Sequence, residues 1–146
     1  METTHTEKMI AALQQGGFRI TPQRIAICRL LAETDEHPTA QSIHMQLSEV
    51  YPSLSLATVY NTLETLVDLG AVNSLGSVGD DAVHYDADTS PHVNLACVAC
   101  HQVIDLPSQH VKGLDEEVAQ RSGYELQGAR VLYYGLCPTC QAQRRA

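Results

Sequence analysis

Cys97-Val98-Ala99-Cys100 and Cys137-Pro138-Thr139-Cys140 place four thiols in two C-x-x-C turns separated by 36 residues. Zinc takes four soft ligands in a tetrahedron, and each turn offers two sulfurs to one ion, so two such turns complete a closed structural Zn(II) site. Buried apolar cysteine would explain one such pair but not two with the same internal spacing. A redox C-x-x-C is expected at a helix N-terminus after a strand of a βαβ unit, and neither pair reads as lying in that pattern. The fifth thiol, Cys28, falls on the apolar face of a helix and reads as core.

A second group of donors is harder. Asp86, His92, Asn94 and Asp105, with His37 from earlier in the chain, offer carboxylate, imidazole and amide groups. Such donors suit Fe(II), Mn(II) or Zn(II), and the lack of cysteine among them favours the harder ions. Taken singly, each reads equally well as a solvated loop residue. A metalloenzyme would add a general base to an open metal position, and the chain has no H-E-x-x-H or similar signature. Turnover by the C-x-x-C thiols is the other enzymatic alternative.

A third group points to nucleic acid. The stretch Ser55 to Leu69 should expose Ala57, Thr58, Tyr60, Asn61 and Glu64, of which Thr58, Tyr60 and Asn61 are candidate DNA contacts. An Asn amide matches the major-groove edge of adenine, and an aromatic ring can meet a thymine methyl. Arg19 and Arg24 flank the start of an earlier helical segment, the second in the chain, a place suited to phosphate. Composition gives no help, since residues 1–84 carry four basic and ten acidic side chains.

These groups need elements to position them. Residues 6–16 put Met9, Ile10 and Leu13 on one helical face and stop at Gly16-Gly17. Thr21-Pro22 supplies an N-cap hydroxyl and a proline at the first helical position, and a second helix should run to about residue 34. Thr39 caps a third, with Ile43, Met45, Leu47 and Val50 as its apolar residues, stopped before Pro52. Ser55 caps a fourth, whose Leu56, Val59, Leu63, Leu66 and Val67 follow the i, i+3, i+4 rule up to Gly70. Ala71–Leu75 and Ala82–Tyr85 read as short strands about a turn at 76–81, which makes residues 1–84 a winged helix-turn-helix. Beyond the boundary, at about 84–90, β-prone runs at 93–97, 102–106 and 124–136 and one helix over 110–121 suggest a small α/β domain, residues 85–146. The whole is an α+β chain.

With 146 residues, 44% of them hydrophobic, the chain has enough apolar surface for a packed core and is not a disordered sequence. Its longest apolar runs, such as Leu95 to Cys100, are far below the roughly 18 residues of a spanning helix, and METTHTEKMI has no leader-like apolar segment. A cytoplasmic protein without a membrane partner is expected. A net charge of −8 argues against indiscriminate binding to polyanions, though not against a local basic face.

The stretches FRITPQR (18–24), HPTAQSIHMQL (37–47), YPSLSLATVYNTLETLVDLGAV (51–72), HYDADTSPHVNLACVACHQVIDLP (84–107) and YYGLCPTC (133–140) resemble, in order, the ferric uptake regulator (Fur) family. The resemblance implies a homodimeric, metal-dependent repressor that binds operator DNA, with no small-molecule substrate beyond its metal ions and peroxide. The pattern is most similar to the peroxide-sensing (PerR) branch. There the regulatory metal is held by residues matching His37, Asp86, a His-x-His pair and Asp105. Here that pair is His92 and Asn94. A neutral amide oxygen is a poorer ligand than imidazole, so the site is weakened, or water or His84 fills the gap. Iron sensors usually carry Glu where Asp86 stands, and zinc sensors often use Cys. Gly128-Ala129 replaces a histidine of an accessory site, which the resemblance implies is missing. Metal bound by His37 with Asp86, His92 and Asp105 would tie the two domains together, and Fe(II)-driven oxidation of His37 or His92 would release DNA. Control of iron or zinc uptake by metal occupancy is the alternative within the family.

Overall fold

The computed structural model describes residues 4–34, 36–76, 82–90, 92–126 and 128–145. The first unit takes the described residues through Gly76 together with Val83–Thr89, and the second takes Ala82 and the residues from Ser90 onward.

The first unit is four helices and a two-stranded sheet. Helix α1 (His5–Gln15) opens on a capping box in which the Thr4 hydroxyl and the Glu7 carboxylate each accept from the other's backbone N–H. Thr21 caps α2 (Pro22–Glu33), with Pro22 in the first turn, and Thr39 caps α3 (Ala40–Leu47). Helix α4 (Leu56–Asp68) begins at Ser55, whose hydroxyl accepts from Thr58 N–H. Each cap satisfies an amide that the helix cannot, so polar residues just before apolar periodicity set the boundaries. The core is built from Met9, Leu13, Ile27, Cys28, Leu31, Ile43, Val59, Leu63 and Leu66. Of the apolar residues expected to face inward from α3, Ile43 is buried and Leu47 packs on the core. Met45 (72% exposed) lies off the i, i+4 line of those two, and Val50 (70% exposed) lies beyond the helix, which stops at Leu47 rather than just before Pro52. Strands β1 (Asn73–Leu75) and β2 (His84–Asp86) pair antiparallel, Asn73 opposite Asp86. The expected turn over 76–81 lies outside the described residues after Gly76.

In the second unit, β3 (Val93–Cys97) is the centre of a three-stranded sheet. It pairs antiparallel with β4 (Val103–Leu106) and parallel with β5 (Val131–Gly135). Helix α5 (Gln109–Ser122) makes the crossover and ends at Gly123, whose φ of 74° is the left-handed C-cap geometry that glycine adopts without strain. Of the run expected over 124–136, the strand takes Val131–Gly135. A second difference is α6 (Pro138–Arg145), a helix that the sequence reading omitted. It starts with proline and contains Cys140, so its apolar signal is weak and its first turn presents as a metal-binding turn. No described helix is long and apolar enough to cross a membrane.

Candidate functional site

The thiols are brought together by chain reversals. Cys97 ends β3, Cys100 closes the turn that follows, Cys137 follows β5 and Cys140 sits in the first turn of α6. Parallel pairing sets Cys97 opposite Gly135, and Val98 N–H donates to the Gly135 carbonyl at 2.8 Å, so the two turns emerge side by side. All four Sγ atoms lie within 4.8 Å of one another. Cys97 Sγ accepts from the backbone N–H groups of Cys100 (3.5 Å) and Cys137 (3.4 Å). Those donors pull its pKa down to about 5, whereas hydrogen bonding to Cys137 and Cys97 pushes Cys140 up to about 12. Four sulfurs this close cannot all be thiolates unless a cation compensates them, and a tetrathiolate suits Zn(II). The cluster fits that ion.

Cys137 immediately precedes α6 and follows β5, so this C-x-x-C lies at a helix N-terminus after a strand, but no described strand follows α6 and the βαβ setting of a redox pair is not formed. The closeness of the other pair argues further against redox chemistry, because it gives these thiols a metal-binding arrangement rather than an isolated dithiol. Cys28 is fully buried, and burial raises its pKa to about 11, in keeping with a core residue.

The harder donors form two pairs, one in each unit. In the first, His37 Nε2 lies 3.2 Å from Asp86 Oδ2, and both residues are buried. Two ties from β2 hold this geometry. Tyr85 N–H donates to the Pro38 carbonyl at 2.9 Å, and His84 donates from Nδ1 to the His37 carbonyl at 2.6 Å. Any ligation by His84 must consequently use its other nitrogen. Asp86 also accepts from Asp88 N–H through its second oxygen, at 2.9 Å, which fixes the carboxylate plane. In the second unit, His92 Nε2 lies 3.5 Å from Asp105 Oδ1 and 3.2 Å from Asn94 Oδ1, while His92 Nδ1 donates to the Ser90 carbonyl at 2.7 Å. Asn94 is buried, and its amide nitrogen donates to the Val131 carbonyl of β5 at 3.3 Å. That bond turns the amide oxygen toward His92, the orientation a ligand would need. Cross-strand pairing of Asn94 with Asp105 sets the two donors side by side. The roles of Ser90, Pro38 and Val131 escaped the sequence reading because each acts through a backbone carbonyl.

On α4, Ala57, Asn61 and Glu64 are exposed as expected. Tyr60 and Thr58 are not: Tyr60 is half-buried against the core, and Thr58 turns its hydroxyl to Ser55 Oγ at 2.8 Å. Residue 60 follows the buried Val59 and precedes the exposed Asn61, so its ring lies on the flank of the helix. Arg19 is exposed, and the Arg24 guanidinium donates to the Arg19 carbonyl, which holds the two basic residues close together.

Residues 15–134 match the model of the ferric uptake regulator family. The chain belongs to that family. A peroxide-responsive repressor, PerR, of Staphylococcus aureus is 36% identical over 135 residues, covering 92% of this chain and 90% of the relative. Among solved structures, a PerR from Streptococcus pyogenes described in terms of peroxide sensing is 34% identical. It covers 97% of this chain and 96% of its own length, at a TM-score of 0.56. The ferric uptake regulator of Pseudomonas aeruginosa, solved with manganese, is 26% identical over 89% of this chain and 98% of its own, with a TM-score of 0.72. Fur-family regulators are dimeric DNA-binding proteins, and this chain is a metal-responsive transcriptional repressor, not an enzyme. The family's cofactors are a structural zinc and a regulatory iron or manganese ion. Donors for both are present here: four thiols, and two histidine–carboxylate pairs.

Proposed function

We propose that the protein is a homodimeric, cytoplasmic, peroxide-responsive repressor of operator DNA. Its structural zinc is bound by Cys97, Cys100, Cys137 and Cys140, and its regulatory Fe(II) or Mn(II) by His37, Asp86, His92, Asn94 and Asp105. DNA binding belongs to the part of the chain before residues 84–90, and dimerisation to the part after. The observation that carries this reading is the pairing of His37 with Asp86. It supplies an imidazole and a short carboxylate where an iron sensor of the family would usually have Glu and a zinc sensor often has Cys.

Apolar surface in the second unit supports the dimer. Ile104 and Leu106 on β4, Tyr133 and Tyr134 on β5, and Leu114 and Val118 on α5 are each between 43% and 78% exposed, more than one sheet and helix of a monomer would leave uncovered. DNA contacts fall to Asn61 on the exposed face of α4, with Tyr60 and Thr58 at its flank, and to Arg19 and Arg24.

The residues divide the sensing chemistry as follows. Asp86 and Asp105 supply anionic oxygen, which favours a hard divalent cation. Asn94 contributes a neutral oxygen that does not titrate. His37 and His92 are the oxidisable members, and their imidazoles must be neutral at the ligating nitrogen. Fe(II) held by these residues would supply the redox path by which peroxide oxidises a neighbouring imidazole: one peroxide oxygen is added to a ring carbon, turning C–H into C–OH, the other leaves as water, and the two electrons come from the ring. An oxidised ring is a poorer ligand, and the repressor releases DNA.

The test compares Fe(II)-loaded and Mn(II)-loaded protein after one equivalent of peroxide. Peptides containing His37 or His92 should gain about 16 Da, one oxygen atom, in the iron sample alone, together with loss of operator binding. DNA release that instead tracks oxidation of the four clustered cysteines would replace this reading with a thiol-based one. No release under either metal would favour sensing by occupancy.

A further inference from the structure

The chain segment leading into α4 is pinned by side chains from two other helices. From α3, His44 Nε2 lies 2.8 Å from the carbonyl oxygen of Leu54; a carbonyl only accepts, so the imidazole N–H donates. From α2, Gln23 Nε2 donates to Ser53 Oγ at 3.4 Å. Leu54 is itself buried, and its N–H donates to the Tyr51 carbonyl at 3.0 Å. The intrahelical ladder of α4 begins at the next residue, where the Ser55 carbonyl accepts from Val59 N–H at 3.2 Å. The Leu54 carbonyl therefore lies outside the ladder, and His44 supplies the donor that the helix does not.

We infer that His44 is a positioning residue for DNA reading. By holding the peptide that joins Leu54 to the Ser55 cap, it fixes the angle at which the first turns of α4 meet the groove. In helix-turn-helix proteins the N-terminal residues of the recognition helix make the base contacts, so a small rotation at the entry point moves all of them together. Phosphate contacts tolerate such a rotation better, because flexible arginine side chains can follow the backbone. Loss of the bond should accordingly reduce discrimination between sequences more than overall affinity. The inference rests on the reading of α4 as the DNA-contacting helix.

Three variants test it: His44→Leu, of similar bulk and without a donor; His44→Gln, whose Nε2 can reach where the imidazole Nε2 does; and Asn61→Ala as a check on α4 itself. Each zinc-loaded, Mn(II)-loaded protein is titrated against operator and random DNA, and amide exchange is followed over residues 55–59. His44→Leu should lower the ratio of operator to random affinity by about tenfold, with random-DNA affinity and zinc content unchanged and faster exchange in the first turn of α4. His44→Gln should restore most of that ratio. An unchanged ratio in His44→Leu, an equal loss on both DNAs, or no recovery with glutamine would overturn the assignment. If Asn61→Ala also leaves the ratio untouched, the reading of α4 falls, and the role of His44 with it.

Discussion

Five cysteines in one small protein are assigned unlike jobs by their surroundings. Cys97 receives two backbone N–H donors and is held as thiolate near neutral pH, which primes the cluster for a soft cation. Cys28 lies in the apolar core, and burial raises it from the ordinary 9.0 to about 11. The sign follows from proton counting: above pH 9 the unfolded chain gives up this proton while the folded chain keeps it. Below pH 9 the buried thiol costs nothing, and as pH rises from 9 toward 11 the folded state loses stability, at about 1.4 kcal/mol for each unit. Two outcomes are expected. Stability should fall on the alkaline side of pH 9. At pH 7.5, iodoacetamide should label Cys97 first once zinc is chelated, and the other three thiols as the cluster comes apart, while Cys28 reacts only in denaturant. Mass spectrometry of the labelled peptides decides, and labelling of Cys28 at a rate comparable with the others would contradict its place in the core.

At the scale of elements, the proposed zinc site joins the end of β3 to the stretch that runs from β5 into α6. Strand β5 is already held to β3 by five parallel pairs, but α6 has no buried residue and so no apolar face to fix its own position. Removing a sulfur should release α6 and fray the ends of β3 and β5 beside it. We expect Cys97→Ser to lose its zinc, to lose the ellipticity of α6 and part of the sheet, and to run as a monomer in size-exclusion chromatography, while the first unit keeps its helices. A folded, zinc-free dimer would contradict the site. The same contrast explains what the sequence disclosed. Helices α2 to α4 are legible because a capping hydroxyl precedes 3.6-residue periodicity at Thr21, Thr39 and Ser55, and α1 from its apolar face and Gly16-Gly17, whereas the end of α3 is not, since it stops at Leu47 and not at Pro52. Helix α6 was hidden because its position comes from two thiols rather than from an apolar face. The cysteine cluster was legible from spacing alone. The histidine–carboxylate pairs needed the family pattern as well, since what holds His37 against Asp86 is a set of backbone carbonyl contacts that carry no residue signature. Tyr60 was misplaced because helical periodicity separates inside from outside but does not resolve a flank.

For the whole molecule, the difficulty is charge. Each chain carries −8, so a dimer brings about twice that to a polyanion, and the long-range field opposes the complex. Binding must then come from few, local contacts. If Arg19 and Arg24 of both protomers are the phosphate contacts, about four phosphates are neutralised, and the affinity should vary with salt with a log–log slope of about −3.6. Between 50 and 200 mM salt that slope corresponds to a loss of roughly 100-fold, modest for a DNA-binding dimer. Arg24→Ala removes two of the four contacts in a symmetric dimer. The slope should fall to about half, random and operator DNA should weaken by similar factors, and the ratio between them should hardly change. Because Arg24 also donates to the Arg19 carbonyl, the alanine variant frees that loop, and a loss slightly greater than one contact per protomer is expected. Fluorescence anisotropy at four or five salt concentrations measures both quantities. A slope that stays near −3.6 in Arg24→Ala would place the phosphate contacts elsewhere on the first unit. A slope much steeper than −3.6 in the unaltered protein would require basic residues beyond these two, with Arg29, also exposed on α2, as the next to replace.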